Sequence, residues 1–371
     1  MFFLILFSIL LVLVIGGSVY LVRGFHQFSC INALAKKHSK IAWMLSFLPV
    51  IILIIVGVFN IYTGIVSAIH LIIIWLLCNG IVSLIPKFSK KEIRKDIAGI
   101  TAICVTTVLM VIGWYTAHNV VETYYTFQTE KAIGTDKLRI VEIADAHLGV
   151  TLNGEQFAAE MQKISALQPD IVAVVGDFVD DESTRKDMEI AAKALGEISP
   201  QYGTFYVFGN HDRGYSPETC DFNTDDLISV LETNHVTVLK DETIQLDNGI
   251  ALIGREDKSR KNRLPITELT PNIDTDTYSI VLDHQPNDYD AEAAANVDLV
   301  LSGHTHGGQF FPCGPIGVLI GANDAYYGHH LRSNTDFIIT SGISAWSIPL
   351  KTGTVSEYVV IDVVHSKNIE S

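Results

Sequence analysis

The sequence predicts two parts of unlike class. An all-α bundle of four transmembrane helices fills residues 1–118, and an α/β (α+β) domain fills 137–371, with 119–136 as the linker. Three observations predict this. The first 118 residues are almost wholly apolar, and four runs within them are long enough to span a bilayer. Beyond them, short apolar runs alternate with helical patterns, as in βαβ units and a mostly parallel sheet. The charge balance also changes sign between the two parts.

The four apolar segments are residues 2–22, 41–59, 65–85 and 97–117. Each matches the length that crosses a hydrocarbon core of ~30 Å. The first is not a signal peptide, because it has no basic leading region and its apolar run is too long. Trp43, Trp75, Trp114 and Tyr115 fall near segment ends or faces, where aromatic rings settle at the membrane interface. His70 and Asn79 lie inside the third segment and are expected to pack within the bundle. Arg23, Lys36, Lys37 and Lys40 follow the first segment; Lys87, Lys90, Lys91, Arg94 and Lys95 follow the third; the 60–64 link has no charge. Basic connections stay in the cytoplasm. The expected arrangement is therefore a multi-pass cell-membrane protein with an outside N-terminus and an extracytoplasmic C-terminal domain.

Residues 1–118 hold nine Lys or Arg against two Asp or Glu, a net of +7; the whole chain is −15, so the remainder carries −22. A domain that acidic repels phosphate backbones, so no nucleic acid partner is expected. Cys220 and Cys313 are the two cysteines beyond the membrane part; in an oxidising compartment they could pair.

In the soluble domain, 138–143 reads as a continuous apolar strand ending in Asp145-Ala-His147. Residues 154–167 have helical spacing, with Phe157, Met161, Ile164 and Leu167 on one stripe. A strand at 170–175 ends in Gly176-Asp177-Phe-Val-Asp180, a helix follows at 186–198, and a strand at 203–208 ends in Gly209-Asn210-His211-Asp212. Residues 224–233 are helical, and from 236 onward the pattern is strand-rich. A strand at 278–282 ends in Asp283-His284, and 297–302 runs into Gly303-His304-Thr-His306-Gly-Gly-Gln309. Residues 336–364 alternate like two or three strands.

Each of these clusters sits just past the carboxyl end of a strand, where α/β sheets bind ligands. The residue types are carboxylates, imidazoles and one amide, a mixed N/O set that suits Mn, Fe, Zn or Ni and offers no thiolate. A shared carboxylate could bridge two such ions for phosphoester hydrolysis.

The series Asp145-Ala-His147, Gly176-Asp177-Phe-Val-Asp180, Gly209-Asn210-His211-Asp212, His284 and Gly303-His304-Thr-His306 resembles the calcineurin-like metallophosphoesterases over about residues 138–364. Its wording is most similar to a membrane-associated bacterial branch that includes UDP-diacylglucosamine pyrophosphatases. The resemblance implies a four-layer sandwich of two mixed β-sheets with helices outside. It implies two divalent ions: Asp145, His147 and His306 on the first, Asn210, His284 and His304 on the second, and Asp177 bridging. It makes His211 the acid that protonates the leaving oxygen, steered by Asp212, with Asp180 supporting the ligands. Family members often carry Glu after the motif histidine or Arg near the C-terminal end; this chain has Asp212 and Lys351. The implied activity is a membrane-anchored phosphoesterase acting on a phosphorylated small molecule or lipid. The alternative is a non-catalytic metal-binding receptor or regulator.

Overall fold

The computed structural model describes residues 2–89, 94, 96–213 and 220–366. The chain divides into two compact units, Met1–Ile112 and Gly113–Ser371.

The first unit is helical: α1 (Phe2–His26), α2 (Ser29–Ala35), α3 (Ser39–Ser46), α4 (Leu48–Phe59), α5 (Ile61–Ser89) and α6 (Asp96–His118), whose last turns belong to the second unit. Among the described residues, three helical stretches are long and apolar enough to cross a membrane: Ser39–Phe59, Ile61–Ile85 and Asp96–His118. The first of these is two helices. Pro49 in the opening turn of α4 has no N–H to bond back to α3, so one helix stops and another starts. Gly57 and Gly64 let α4 and α5 fold tightly on each other, since a Cβ on Gly64 would lie 2.6 Å from Gly57 Cα. The unit packs around Leu21, Phe28, Ala42, Leu71, Trp75 and Ala102. Trp75 is thus a core residue, correcting the interfacial expectation: Tyr20 and Phe28 pack on its ring, and Gly24 and Gly99 make room for it. Asn79 donates to the Tyr20 hydroxyl (2.7 Å). Lys90, Lys91 and Lys95 of the basic connection lie outside the described residues.

The second unit contains two six-stranded mixed sheets. In chain order its elements are β1 (Val120–Thr129), β2 (Lys137–Ile143), α7 (Gly154–Ala166), β3 (Ile171–Val175), α8 (Arg185–Ile198), β4 (Thr204–Val207), α9 (Thr224–Thr233) and β5 (Val236–Val238). Then come β6 (Glu242–Gln245), β7 (Ala251–Gly254), α10 (Ile266–Leu269), β8 (Ser279–Leu282), α11 (Tyr289–Ala294) and β9 (Leu299–Ser302). The last are α12 (Cys313–Leu319), β10 (Gly328–Arg332), β11 (Thr335–Ile339) and β12 (Ser356–His365). One sheet has the order β1-β12-β2-β3-β4-β5 and the other β10-β11-β9-β8-β7-β6. The expected linker is corrected here: its first ten residues or so form β1, an edge strand paired parallel to β12 from Val120↔Ser356 to Thr129↔His365.

Strand periodicity explains the layers. Ile140, Ile171, Ala173 and Val175 meet Leu252, Ile280, Leu282 and Leu301 between the sheets. The alternate residues Val141, Ile143, Val172 and Val174 face outward onto Phe157, Met161, Met188, Leu195 and Leu227 of α7, α8 and α9. On the far side, Val281, Val300 and Phe337 face Ile266 and Tyr289 of α10 and α11. Each fully buried aliphatic side chain contributes about 1.5–3 kcal/mol, so a one-residue slip in any central strand would forfeit both faces at once. The covering helices are fixed at their starts. Asn153 and Gln156 form a reciprocal capping box on α7, Asn223 and Asp226 another on α9, and the Thr184 hydroxyl caps α8.

The neighbours β2-β3-β4 are mutually parallel, as are β7-β8-β9-β11. Five carboxyl ends, those of β2, β3, β4, β8 and β9, therefore deliver loops to one edge of the sandwich. Cys220 and Cys313 do not pair: Cys220 is buried, and Cys313 is exposed at the start of α12.

Candidate metal centre

The loops are stitched to one another before any side chain is considered. The Asp145 N–H donates to the Gly176 carbonyl (3.0 Å), His147 N–H to the Asp177 carbonyl (3.0 Å), and Gly303 N–H to the His284 carbonyl (3.0 Å). Five residues of the site hold left-handed backbone: Asp145 (φ 54°), His147 (φ 36°), Asp177 (φ 51°), His304 (φ 70°) and His306 (φ 50°). Such conformations cost of order 1–3 kcal/mol each and persist where surrounding structure over-determines them. Gly209 is required by close approach, because a Cβ there would collide with the Asp177 carboxylate.

Two groups of side chains converge, Asp145, His147 and His306, and Asp177, His284 and His304, with the ligand atoms of each group within 4.8 Å of one another; a third, Asp180 and His211 with the shared His147, lies beside them on the same spacing. Asp177 lies between the groups, its Oδ2 3.1 Å from His284 Nε2 and 3.6 Å from His147 Nε2. The tautomers follow from the outer partners. His284 Nδ1 donates to the Val175 carbonyl (2.8 Å), His147 Nδ1 to Asp180 Oδ2 (2.8 Å), and His306 Nδ1 to the Ser344 carbonyl (3.3 Å). Each Nε2 therefore faces inward and offers a lone pair whenever its ring is neutral. His147 Nε2 and His306 Nε2 face each other at 3.2 Å, an arrangement that repels unless a cation answers it.

Other observations test the fit to cations. Asn210 Oδ1 and His284 Nε2 are buried with no hydrogen-bond partner, which is costly for polar atoms unless a ligand satisfies them. Asp145, Asp177, Asp180 and Asp212 are all buried side by side. Burial, with the charge of Asp177 added and that of His284 opposing, lifts Asp145 to about 6. Burial also raises Asp177, but the positive charge His284 carries when its Nε2 holds a proton, with those of His147 and His211, outweighs it and holds the carboxyl well below the usual range. Burial and the neighbouring His284 push His304 down to about 4, leaving a neutral ring able to ligate. The donor set thus fits two divalent cations, and Asp145, His147, His306, Asp177, Asn210, His284 and His304 would hold them.

His211 stands at the mouth. Its backbone N–H donates to Asp177 Oδ1 (2.8 Å), and its Nδ1 lies 3.2 Å from Asp180 Oδ1. Burial lowers the ring, but the Asp180 hydrogen bond and the Asp177 charge outweigh it and raise it to about 9. The steering residue is therefore Asp180, which joins His147 to His211, and the expectation that Asp212 steers His211 is corrected. Asp212 turns inward and accepts four backbone N–H bonds: Asp177 (2.7 Å), Phe178 (2.7 Å), Val179 (3.1 Å) and Gly209 (2.7 Å). It braces two ligand loops. Asp212→Ala leaves four buried donors unmatched, at about 1–3 kcal/mol each before relaxation. The full chain should then melt roughly 10 °C lower, at ~2–4 °C per kcal/mol. Differential scanning fluorimetry checks this, and an unchanged midpoint would contradict it.

Sequence reasoning assigned no role to Gln309 or Trp346. The Gln309 carboxamide donates to the carbonyls of Trp346 (3.1 Å) and Ile348 (3.0 Å) and accepts from Trp346 N–H (3.2 Å). This places the Trp346 ring 5.6 Å from that of His211. The signal was Gln309 closing the histidine motif. Lys351 is buried, not in the cleft; its Nζ donates to the carbonyls of Ser341 (2.6 Å), Gly342 (3.1 Å) and Val355 (3.1 Å). Burial, against the charges of Asp145 and Glu357, lowers it to about 7.

Comparison with known proteins agrees with this geometry. The family model described as calcineurin-like phosphoesterase matches residues 138–308. A protein of Aquifex aeolicus (strain VF5) described as an uncharacterized metallophosphoesterase is 30% identical over 260 residues, which cover 67% of this chain and 95% of that one. A Danio rerio protein described as a transmembrane protein with metallophosphoesterase domain is 29% identical over 240 residues, covering 59% of this chain; the match spans about half of that relative, 52%. The solved structure of a dimetal phosphatase from Danio rerio covers 54% of this chain and 86% of its own, at 9% identity and a TM-score of 0.34. With nearly the whole length of the Aquifex protein matched, and the ligand loops falling where the family model does, the chain belongs to the calcineurin-like metallophosphoesterases, metal-dependent hydrolases of phosphoesters.

Proposed function

We propose that this chain is a four-span membrane protein whose extracytoplasmic domain hydrolyses phosphomonoester, phosphodiester or pyrophosphate bonds at a dinuclear centre, on a lipid or envelope-precursor substrate. The observation that carries the reading is Asp177 lying between two groups of inward-facing imidazoles, with His211 beside it. Two bound divalent ions would supply Lewis acidity, which brings the pKa of water toward neutrality and offsets charge on phosphoryl oxygens. The protein's own part is positioning and proton transfer. Asp180 holds His211 by Nδ1, which leaves Nε2 free to hand a proton to the leaving oxygen. Asp212 keeps the Asp177 and Asn210 loops in register by their backbones.

The test uses the full chain in detergent, stripped of metal and then given Mn²⁺, with p-nitrophenyl phosphate and bis(p-nitrophenyl) phosphate as substrates. Hydrolysis of at least one ester, dependent on the metal, is expected. No turnover with Mn²⁺, Zn²⁺, Fe²⁺ or Ni²⁺ would sink the reading.

The orientation rests on the nine basic residues in the connections after the first and third apolar segments, with none at 60–64. Carrying each across hydrocarbon costs several kcal/mol. Thr275 is exposed in the second unit. Thr275→Cys in a Cys220→Ser/Cys313→Ser background should react with a membrane-impermeant maleimide on intact cells, above the same background without it. Labelling only after lysis would put the domain in the cytoplasm.

A further inference from the structure

The cleft over the candidate centre has a volume of about 440 Å³ and two chemically distinct ends. Metal-centre residues and His211 form its floor; Phe310, Cys313, Gly314, Gly317, Trp346 and Ile348 are the apolar and small part of its walls, with Asn323 and Tyr326 as polar members. A phosphoryl group needs only the floor. The chain neighbours of these wall residues are exposed apolar side chains: Phe311 beside Phe310 is 72% exposed, and in the segment of Cys313, Gly314 and Gly317, Ile316 is 48% and Ile320 72% exposed. Soluble surfaces rarely leave large apolar side chains contiguous beside a site unless they bind something.

The charge pattern points the same way. Residues 299–323 contain no Asp, Glu, Lys or Arg, in a part of the chain that carries −22. The stretch supplies the His304 and His306 ligands, the Phe310 wall and all of α12. An acidic domain that clears every charge from one lip of its cleft has made that lip compatible with hydrocarbon and with nothing ionic. The Trp346 and Ile348 wall is held in place, since Gln309 bonds both through its carboxamide. A preformed apolar wall lowers the ordering cost of binding. The same chain carries helical stretches suited to a bilayer, so amphiphiles are the molecules most concentrated around it.

Resting on the phosphoesterase reading above, we infer that the lip formed by Phe311, Ile316 and Ile320, with the Phe310 and Trp346 walls, is a subsite for a hydrocarbon chain carried on the phosphoester. These residues determine specificity and take no part in the bond cleavage. The enzyme therefore prefers amphiphilic phosphoesters to short water-soluble ones bearing the same reacting group.

The test compares the methyl and octyl diesters of p-nitrophenyl phosphate, which share the leaving group, with full chain, Mn²⁺ and one fixed detergent concentration. Partition of the octyl ester into micelles is the same for every variant, so the octyl-to-methyl ratio of kcat/KM is compared between proteins. In Ile316→Ser/Ile320→Ser the ratio should fall at least about tenfold, the effect of losing two buried methylenes, while methyl ester turnover stays within about twofold. If that double variant loses methyl ester turnover as well, Phe311→Ser, at a position 72% exposed, replaces it with the same expectation. A ratio that neither variant lowers overturns the subsite and leaves this apolar lip to a protein partner. Hydrolysis of neither ester by the unaltered chain overturns the phosphoesterase reading and the subsite with it.

Discussion

Asp177→Ala should abolish phosphoester hydrolysis and metal retention together. Asp177 is the one carboxylate placed between the two ligand groups, with Oδ2 3.1 Å from His284 Nε2 and 3.6 Å from His147 Nε2. Its Oδ1 also accepts the His211 backbone N–H at 2.8 Å, so the same side chain positions His211. Removing it takes a negative charge from both cation positions and leaves inward-facing imidazole lone pairs to repel one another. Groups that act as a unit lose nearly everything when one goes, so turnover should fall by about 10⁴ or more. Elemental analysis after gel filtration supplies the second readout. A variant that kept two ions per chain, or that kept measurable kcat, would count against the bridging position.

His211→Ala should behave differently: the metals stay and kcat falls by about 10²–10⁴, the range for one general acid. The ring is in neither the Asp145–His147–His306 group nor the Asp177–His284–His304 group; Asp180 ties it to His147 and holds it by Nδ1. The loss should be large for an alkoxide leaving group and small for p-nitrophenolate, which departs without a proton. The pH profile separates the acid from a merely structural residue. Asp180 raises the His211 ring, so wild-type kcat declines on the alkaline side as the imidazolium is lost. In Asp180→Asn that limb should move to lower pH. Equal losses for good and poor leaving groups, with an unmoved alkaline limb, would remove His211 from the role.

Much of the second unit was legible because its central strands are buried on both faces. Runs such as 171–175 and 299–302 read as continuous apolar stretches, and the polar ligands begin abruptly where each strand ends. The linker error has a physical cause as well. Strand β1 is half-exposed, polar at several positions, and its partner β12 lies at the far end of the chain. Nothing local announces an edge strand whose pairing is that distant. Asp180 does support the ligand candidate His147, but the partner of His211 differs from the expected Asp212 because adjacency in sequence is not adjacency in space. Asp212 follows His211 directly, yet its carboxylate turns back onto four backbone N–H groups, while Asp180 arrives from another loop. Trp75 misled in the same way: an aromatic ring in an apolar helix reads as interfacial until Gly24 and Gly99 are seen to make room for it. The apolar stretch around Ile316 and Ile320 reads in the sequence as one more hydrophobic helix; only its exposure in the segment whose Cys313, Gly314 and Gly317 line the cleft gives it meaning.

Hydrolysis is expected to need two cations that share Asp177. The most direct measurement is a titration of metal-free full chain with Mn²⁺, following bound metal and bis(p-nitrophenyl) phosphate turnover in the same samples. Turnover should remain near background until the second ion binds and should level off at two per chain. Full activity with one ion bound, or with none, would rule out a shared dinuclear centre.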